Sequence, residues 1–64
     1  MKILLKQIME KRKLSARQVE LITGLPKSTV SDICNGAVPR MDTMEILAAG
    51  FGLKINDLFE SDYK

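Results

Sequence analysis

The stretch that decides the fold is LSARQVELITGLPKSTVSDICNG, residues 14–36. It contains two short runs of apolar residues at helical spacing, separated by a turn that Gly24 marks. The first run carries a helix start signal, with Ser15 as the N-cap and Gln18 three residues later as its capping-box partner. Leu14 and Val19 are placed to form a hydrophobic staple across this start. We therefore predict two short amphipathic helices joined by a tight turn.

Both helices have an apolar and a polar face. At about 100° per residue, one face of the first helix carries Ala16, Val19, Ile22 and Thr23. In the second helix, residues 27–34, Val30 and Ile33 point one way and Thr29 lies at the border. Its other face carries Lys27, Ser28, Ser31, Asp32 and Asn35. The second helix is thus expected to bury one side and offer a polar side to solvent.

Helical periodicity continues on both sides of this pair, and no stretch alternates like a strand. A first helix over residues 3–12 is expected to bury Leu4, Leu5, Ile8 and Met9. A fourth helix over residues 41–50 is expected to bury Met41, Met44, Leu47 and Ala48, with Phe51 continuing the stripe. A last short helical turn over residues 55–59 should dock Leu58 or Phe59 onto the core. The predicted fold is all-α, a compact five-helix single domain over residues 1–64 with a short acidic tail at 60–64.

Composition excludes several kinds of chemistry. The chain has 64 residues with no His and a single Cys. It therefore offers no disulfide within one chain, no Cys/His dyad, no Ser–His–Asp triad and no zinc site. We expect no enzymatic activity, no metal and no cofactor. Cys34 is expected to be a small, partly buried residue rather than a redox sensor.

Charge and N-terminal pattern bear on partners and location. Residues 1–40 hold eight Lys and Arg against three Asp and Glu, whereas residues 41–64 hold two against five. This asymmetry fits a basic surface that binds a polyanion and an acidic surface that faces away from it. It equally fits chance clustering of surface charge. The N-terminus has three consecutive apolar residues before Lys6. That run is too short for a signal sequence or membrane span, so a cytoplasmic protein is expected.

Several short motifs together resemble a known family. They are Leu14-Ser15, Thr23-Gly24, Lys27-Ser28-Thr29-Val30-Ser31, Asn35-Gly36, and Asp42-Thr43 after Pro39. In order and spacing the chain resembles the lambda-repressor-like, Cro-type domains, or XRE family of helix–turn–helix proteins, over nearly its whole length from about Leu4 to Phe59. The resemblance implies five helices, with the second and third forming the helix–turn–helix and the third reading DNA.

The resemblance places base-reading residues at Lys27, Ser28 and Asp32, and it matches Thr29 and Ser31 to positions that touch bases or backbone. Lys27 could donate to guanine O6 and N7 or to a phosphate, and Ser28 could contact DNA or cap its helix. Asp32 could accept from cytosine N4, pair with Ser28, or repel wrong sequences. The phosphate-contact candidates are Arg12, Lys13, Arg17 and Arg40. The cations at residues 11–13 also suit the negative end of the first helix dipole.

The chain departs from the family pattern at several positions. Ala16 stands where a phosphate-holding Gln is frequent, so Arg17 or Lys13 is expected to substitute. Pro26 and Arg40 each replace a common helix cap, and the loop at residues 36–39 is one residue shorter than usual. Apolar residues stand at the usually polar positions Leu21, Ile46 and Ala49. These three are interface candidates, and Phe59 and Tyr63 form a second candidate surface.

The expected function is sequence-specific binding of double-stranded DNA by a transcriptional regulator. We expect a repressor that acts as a homodimer on a near-palindromic operator, with no membrane partner. The first alternative is the antitoxin of a toxin–antitoxin pair, in which the apolar positions or the acidic tail meet the toxin. The second is a helical protein–protein adaptor that does not bind DNA.

Overall fold

The computed structural model describes residues 1–63. Four α-helices follow one another along the chain: α1 (Leu5–Arg12), α2 (Ala16–Thr23), α3 (Lys27–Cys34) and α4 (Met41–Phe51). A 3-10 helix, Ile55–Leu58, comes after α4. Two short strands, β1 (Lys2–Ile3) and β2 (Phe59–Glu60), join the two ends of the chain.

The prediction of an all-α fold with five helices is therefore right only in part. Within residues 1–63 there are four α-helices, and the expected fifth is a 3-10 helix of four residues. β1 and β2 pair antiparallel, with Lys2 opposite Glu60 and Ile3 opposite Phe59. The first helix begins at Leu5 rather than residue 3, because Lys2 and Ile3 are extended in this pair. The last turn ends at Leu58, because the following residue enters β2.

The local signals of the helix–turn–helix are confirmed. The Gln18 backbone N–H donates to Ser15 Oγ at 3.2 Å, and the Ser15 N–H donates to Gln18 Oε1 at 2.7 Å, which completes the capping box at the start of α2. Gly24 ends α2 with a φ of 79°, a left-handed conformation that glycine adopts without strain. The two helices of the motif thus begin and end where the sequence predicts.

The core lies between the four α-helices and the 3-10 helix. Its buried members are Leu5, Met9, Val19, Leu25, Val30, Ile33, Met44, Leu47, Ala48, Phe51 and Leu58. Several expected members are not buried: Leu4, Ile8 and Ala16 are half-buried, whereas Ile22 is 45% and Met41 is 64% exposed. Ile22 lies in the last turn of α2, where only part of its side chain reaches α4. Met41 is the first residue of α4 and projects beyond the neighbouring helices.

Two contacts attach the outer helices to α4. A Cβ built on Gly50 would lie 2.8 Å from Thr23 Cγ2, so α2 and α4 approach closely through a residue without a side chain. At the same C-terminal end of α4, the Arg12 guanidinium donates to the Phe51 carbonyl at 3.0 Å and lies 5.4 Å from the centre of the Phe51 ring. Across residues 1–63, no helix combines the length and the apolar character needed to cross a membrane.

Candidate nucleic-acid interface

The exposed face of α3 carries the predicted polar residues. Lys27, Ser28, Ser31, Asp32 and Asn35 are all exposed. Val30 and Ile33 are buried in the core on the opposite side of the helix, and Thr29 is half-buried at the border. The division into a buried and an exposed face is confirmed. Burial of the Val30 and Ile33 side chains holds α3 against the rest of the domain, so its polar face points outward.

These polar side chains are not engaged within the described part of the chain. No hydrogen bond or ion pair joins the side chains of Lys27, Ser28, Ser31 or Asp32 to another residue among 1–63. The reading in which Asp32 bonds to Ser28 one turn back is therefore not the one this structure adopts. Their donors and acceptors are turned to solvent, where they are free to meet the base edges of a duplex.

The turn between α2 and α3 is held by Thr23. Its hydroxyl donates to the Val19 carbonyl at 2.7 Å and accepts from the Leu25 N–H at 3.2 Å. Leu25 itself is buried in the core. One side chain therefore closes the end of α2 and fixes the first residue of the turn, which limits how far α3 can swing relative to α2.

The start of α3 is capped by a residue that sequence reasoning missed. Pro26 is the N-cap and supplies no side-chain hydrogen bond. Instead, the Lys27 backbone N–H donates to Glu20 Oε2 at 3.2 Å, seven residues earlier in α2. The available signal was an acidic residue in α2 followed by a proline where a capping side chain was expected. Such a contact across a turn depends on tertiary geometry and has no local sequence rule.

Two of the four predicted phosphate contacts are cations with no ion-pair partner among residues 1–63. Lys13 is exposed and ends α1 with a φ of 56°, and Arg17 is exposed in the first turn of α2. Both therefore flank the start of the helix–turn–helix. Their contact with phosphate remains a prediction.

The other two predicted phosphate contacts have partners. The Arg12 guanidinium is bound to the Phe51 carbonyl and ring, so it fastens α1 to α4. Arg40 Nη2 lies 3.3 Å from Asp42 Oδ2, and these side chains are 84% and 67% exposed. An exposed pair of this kind contributes little to stability, so Arg40 can exchange its partner at low cost. Arg12 cannot do so without losing its packing on Phe51.

A shallow groove of about 290 Å³ runs between α3 and the start of α4. Thr29 and Asp32 line it from α3, and Arg40 and Thr43 line it from the other side. The structure thus brings two predicted base-contact residues, Thr29 and Asp32, and one predicted phosphate-contact residue, Arg40, to the same depression. This groove continues the exposed polar face of α3.

Four of the five predicted interface residues are exposed, and one is half-buried. Leu21 is 75%, Ile46 is 41% and Tyr63 is 98% exposed, and Ala49 is also exposed. Phe59 is instead half-buried in β2 and packs against the core, because strand pairing turns part of its ring inward. Most of the apolar area that Phe59 could offer to a partner is therefore used within the domain.

Cys34 is half-buried beside the core, as predicted. Its Sγ lies 3.7 Å from Met9 Sδ. Burial raises the pKa of the Cys34 thiol, an effect that nearby Lys6 opposes and Glu10 assists. Among residues 1–63, no group of three or more His, Cys, Asp or Glu side chains lies close enough together to hold a metal ion.

The chain belongs to the helix-turn-helix family of XRE and lambda-repressor type, whose family model matches residues 5–58. This is a family of DNA-binding transcription regulators, which are typically not enzymes. The match spans α1 to the end of the 3-10 helix and so confirms the resemblance seen in the sequence. No curated protein matches the chain, and no solved structure matches it either.

Proposed function

We propose that the protein binds specific sequences of double-stranded DNA by placing α3 in the major groove. One observation carries this proposal: the polar side chains of α3 are exposed and have no partner among residues 1–63, while the apolar face of the helix is buried in the core. A helix held in this way fits the major groove, which is about 12 Å wide and displays a distinct pattern of donors and acceptors for each base pair.

The residues of this face have separate roles in the proposal. Lys27 donates to guanine O6 and N7, and Ser28, Ser31 and Thr29 donate or accept at base edges or the adjoining backbone. Asp32 accepts from cytosine N4, which makes it selective because a carboxylate without a donor partner is repelled by the acceptor-rich edge of guanine. Lys13, Arg17 and Arg40 neutralise phosphates and supply affinity that does not depend on sequence.

Two copies are proposed to act together as a repressor. A small module makes few base contacts, and two-fold pairing doubles them on a near-palindromic site with half-sites about 34 Å apart. The exposed apolar residues Leu21, Ile46 and Ala49 support a protein interface on α2 and the outer face of α4. Ile22 follows Leu21 in the last turn of α2 and is 45% exposed, so it adds apolar area beside Leu21. Occupancy of an operator by the pair would block other proteins from the same DNA.

A second candidate function is that of an antitoxin that also binds its own operator. The same exposed apolar surface favours it, because Leu21 at 75% and Ile46 at 41% exposure leave area for a different protein to cover. The two functions differ in oligomeric state: a repressor of the proposed kind pairs with itself through this surface, and an antitoxin pairs with its toxin there.

The test is selection of bound sequences from a pool of random duplexes, followed by a salt titration on the selected duplex. We expect an inverted repeat, with affinity that falls steeply as salt rises because phosphate-bound counterions are released. Selection of a single unrepeated half-site would contradict the paired repressor but keep the DNA-binding proposal. Failure to enrich any sequence, with no salt-dependent retention on DNA, would overturn the proposal and favour a protein–protein adaptor.

A further inference from the structure

We propose that Glu20 is a positioning residue that sets how well the protein discriminates between DNA sequences. Its carboxylate caps α3 from the neighbouring helix and takes over the task that Pro26 cannot perform. This inference rests on the proposed function, because it assigns to Glu20 a role in the fit of α3 to bases. The carrying observation is the hydrogen bond from the Lys27 backbone N–H to Glu20 Oε2 at 3.2 Å.

The backbone amides at the start of α3 need an acceptor from outside the helix. The first backbone N–H groups of an α-helix have no partner inside the helix, and a Ser, Thr, Asp or Asn at the N-cap normally accepts from one of them. Pro26 occupies the N-cap and its ring has no acceptor. Glu20 therefore provides the only side-chain acceptor for the first turn of α3 among residues 1–63.

The hydrogen bond to Glu20 also fixes the orientation of α3 relative to α2. Glu20 is half-buried on α2, whereas Lys27 is the first residue of α3, so their hydrogen bond crosses the turn between the two helices. A cap made by the preceding residue would stabilise α3 without reference to α2. A cap made by Glu20 also ties the start of α3 to α2 and fixes the position from which Lys27 and Ser28 approach base edges.

The Glu20 carboxylate also changes the charge at the start of α3. The N-terminus of a helix carries a partial positive charge and attracts phosphate whatever the base sequence. The Glu20 carboxylate occupies this position and repels phosphate. The Lys27 ammonium has no ion-pair partner among residues 1–63, so Glu20 engages the backbone of Lys27 and leaves its charge available. Glu20 thus orients α3 for the correct sequence, while its charge lowers the attraction to phosphate that all duplexes share. The ratio of affinities between the correct and an unrelated sequence therefore rises.

These opposite effects define the experiment. Affinities of the full chain are measured for the selected duplex and for an unrelated duplex of equal length. Glu20→Ala is expected to lower affinity for the selected duplex about fivefold, the value of a typical helix cap. It is expected to raise affinity for the unrelated duplex about twofold, since one repulsive charge is removed. A role confined to folding would lower both affinities together.

Conservative and compensating variants keep the test decisive if Glu20→Ala folds poorly. Glu20→Gln retains an acceptor oxygen, so it is expected to hold affinity for the selected duplex within about twofold while raising that for the unrelated one. Pro26→Ser restores an acceptor at the N-cap, so adding it to Glu20→Ala is expected to recover most of the lost affinity. Glu10→Ala, at an exposed acidic position on α1, is the matched control and is expected to leave the ratio of the two affinities unchanged.

A readout without DNA separates this inference from the proposed function. In NMR spectra of the free protein, the Lys27 amide proton is expected to shift in Glu20→Ala and to stay in place in Glu10→Ala. An unmoved Lys27 amide would overturn the inference, as would equal losses on both duplexes. Absence of any sequence preference in the unaltered protein would instead overturn the proposed function, and with it the role assigned to Glu20.

Discussion

Gly50 of α4 and Thr23 of α2 meet so closely that a Cβ on Gly50 would lie 2.8 Å from Thr23 Cγ2. The same Cβ would lie 3.3 Å from Ile22 Cγ2. Thr23 also holds the turn that leads to α3, through its hydrogen bonds to the Val19 carbonyl and the Leu25 N–H. The close packing of α4 on the end of α2 therefore fixes the turn from which α3 begins.

The first prediction is that Gly50→Ala destabilises the domain. In an open helical position this change would add about 1 kcal/mol to the free energy of unfolding, because alanine favours helix. Here the new methyl group has no room, and forcing α2 and α4 apart should cost about 1–3 kcal/mol. Urea denaturation measures the net change. Glu45→Ala, at an exposed position on the same helix, is the control and should change stability by less than about 0.5 kcal/mol. Stabilisation by Gly50→Ala would show that the two helices do not approach as described.

The second prediction gives Lys13→Gly opposite effects on stability and on DNA binding. Lys13 has a φ of 56°, a left-handed conformation that costs a residue with a Cβ about 1 kcal/mol. Glycine removes this cost, so the midpoint of thermal unfolding should rise. It also removes a cation, so affinity for DNA should fall and the salt dependence should decrease by about one counterion. Lys11→Gly serves as the control, because it removes the same charge but places glycine in the helical last turn of α1, where it should lower stability. Unchanged DNA affinity in Lys13→Gly would remove Lys13 from the proposed interface.

The third prediction separates the residues that read bases from those that bind phosphate. Lys27→Ala and Ser28→Ala should each lose about 1–3 kcal/mol of discrimination at particular base pairs of the selected duplex. Arg17→Ala should weaken binding to all duplexes alike and lower the salt slope by about one. Competition binding with single-base variants of the duplex measures both effects. If all three variants behaved alike, the division of roles would be wrong.

The fourth prediction concerns the apolar surface on α2 and α4. Leu21→Glu or Ile46→Glu should place a charge in the proposed contact between two copies and shift the protein toward monomer. Sedimentation equilibrium measures this shift, and binding to an inverted repeat should weaken more than binding to a single half-site. Asn56→Glu, at an exposed position in the 3-10 helix outside this surface, is the control. Equal association by Leu21→Glu and the unaltered protein would point to another partner for this surface.

The fifth prediction concerns Cys34. Burial raises the pKa of its thiol, so at a given pH the folded protein holds less of the reactive thiolate than an exposed cysteine would. Alkylation by iodoacetamide at pH 8 should therefore be slower in the folded protein than in the same protein unfolded by urea. Raising the pH should increase the rate in the folded state. Equal rates in the two states would contradict the half-buried position of the thiol beside Met9.

Most of the helix–turn–helix could be predicted from the sequence because its signals are local. Ser15 and Gln18 are three residues apart, and Gly24 needs only its own backbone conformation to end α2. The exposed face of α3 follows from helical spacing alone. These features depend on neighbours within one or two turns, so the order of residues is sufficient to specify them.

The features that sequence reasoning missed depend on distant parts of the chain. β1 and β2 have two residues each, too few to show alternation, and they pair only because the fold brings both ends of the chain together. Ile22 and Met41 have core-like spacing but stay exposed, because each lies at one end of its helix and is covered only in part. The cap from Glu20 to Lys27 crosses a turn, so it exists only after α2 and α3 have packed.

Contact between the outward face of α3 and the bases can be observed by NMR titration of the labelled protein with the selected duplex. The largest shifts and protections are expected at Lys27, Ser28, Ser31 and Asp32, with smaller changes at Lys13 and Arg17. Saturable binding in which these four residues stay unperturbed, and the changes centre on another surface, would contradict it.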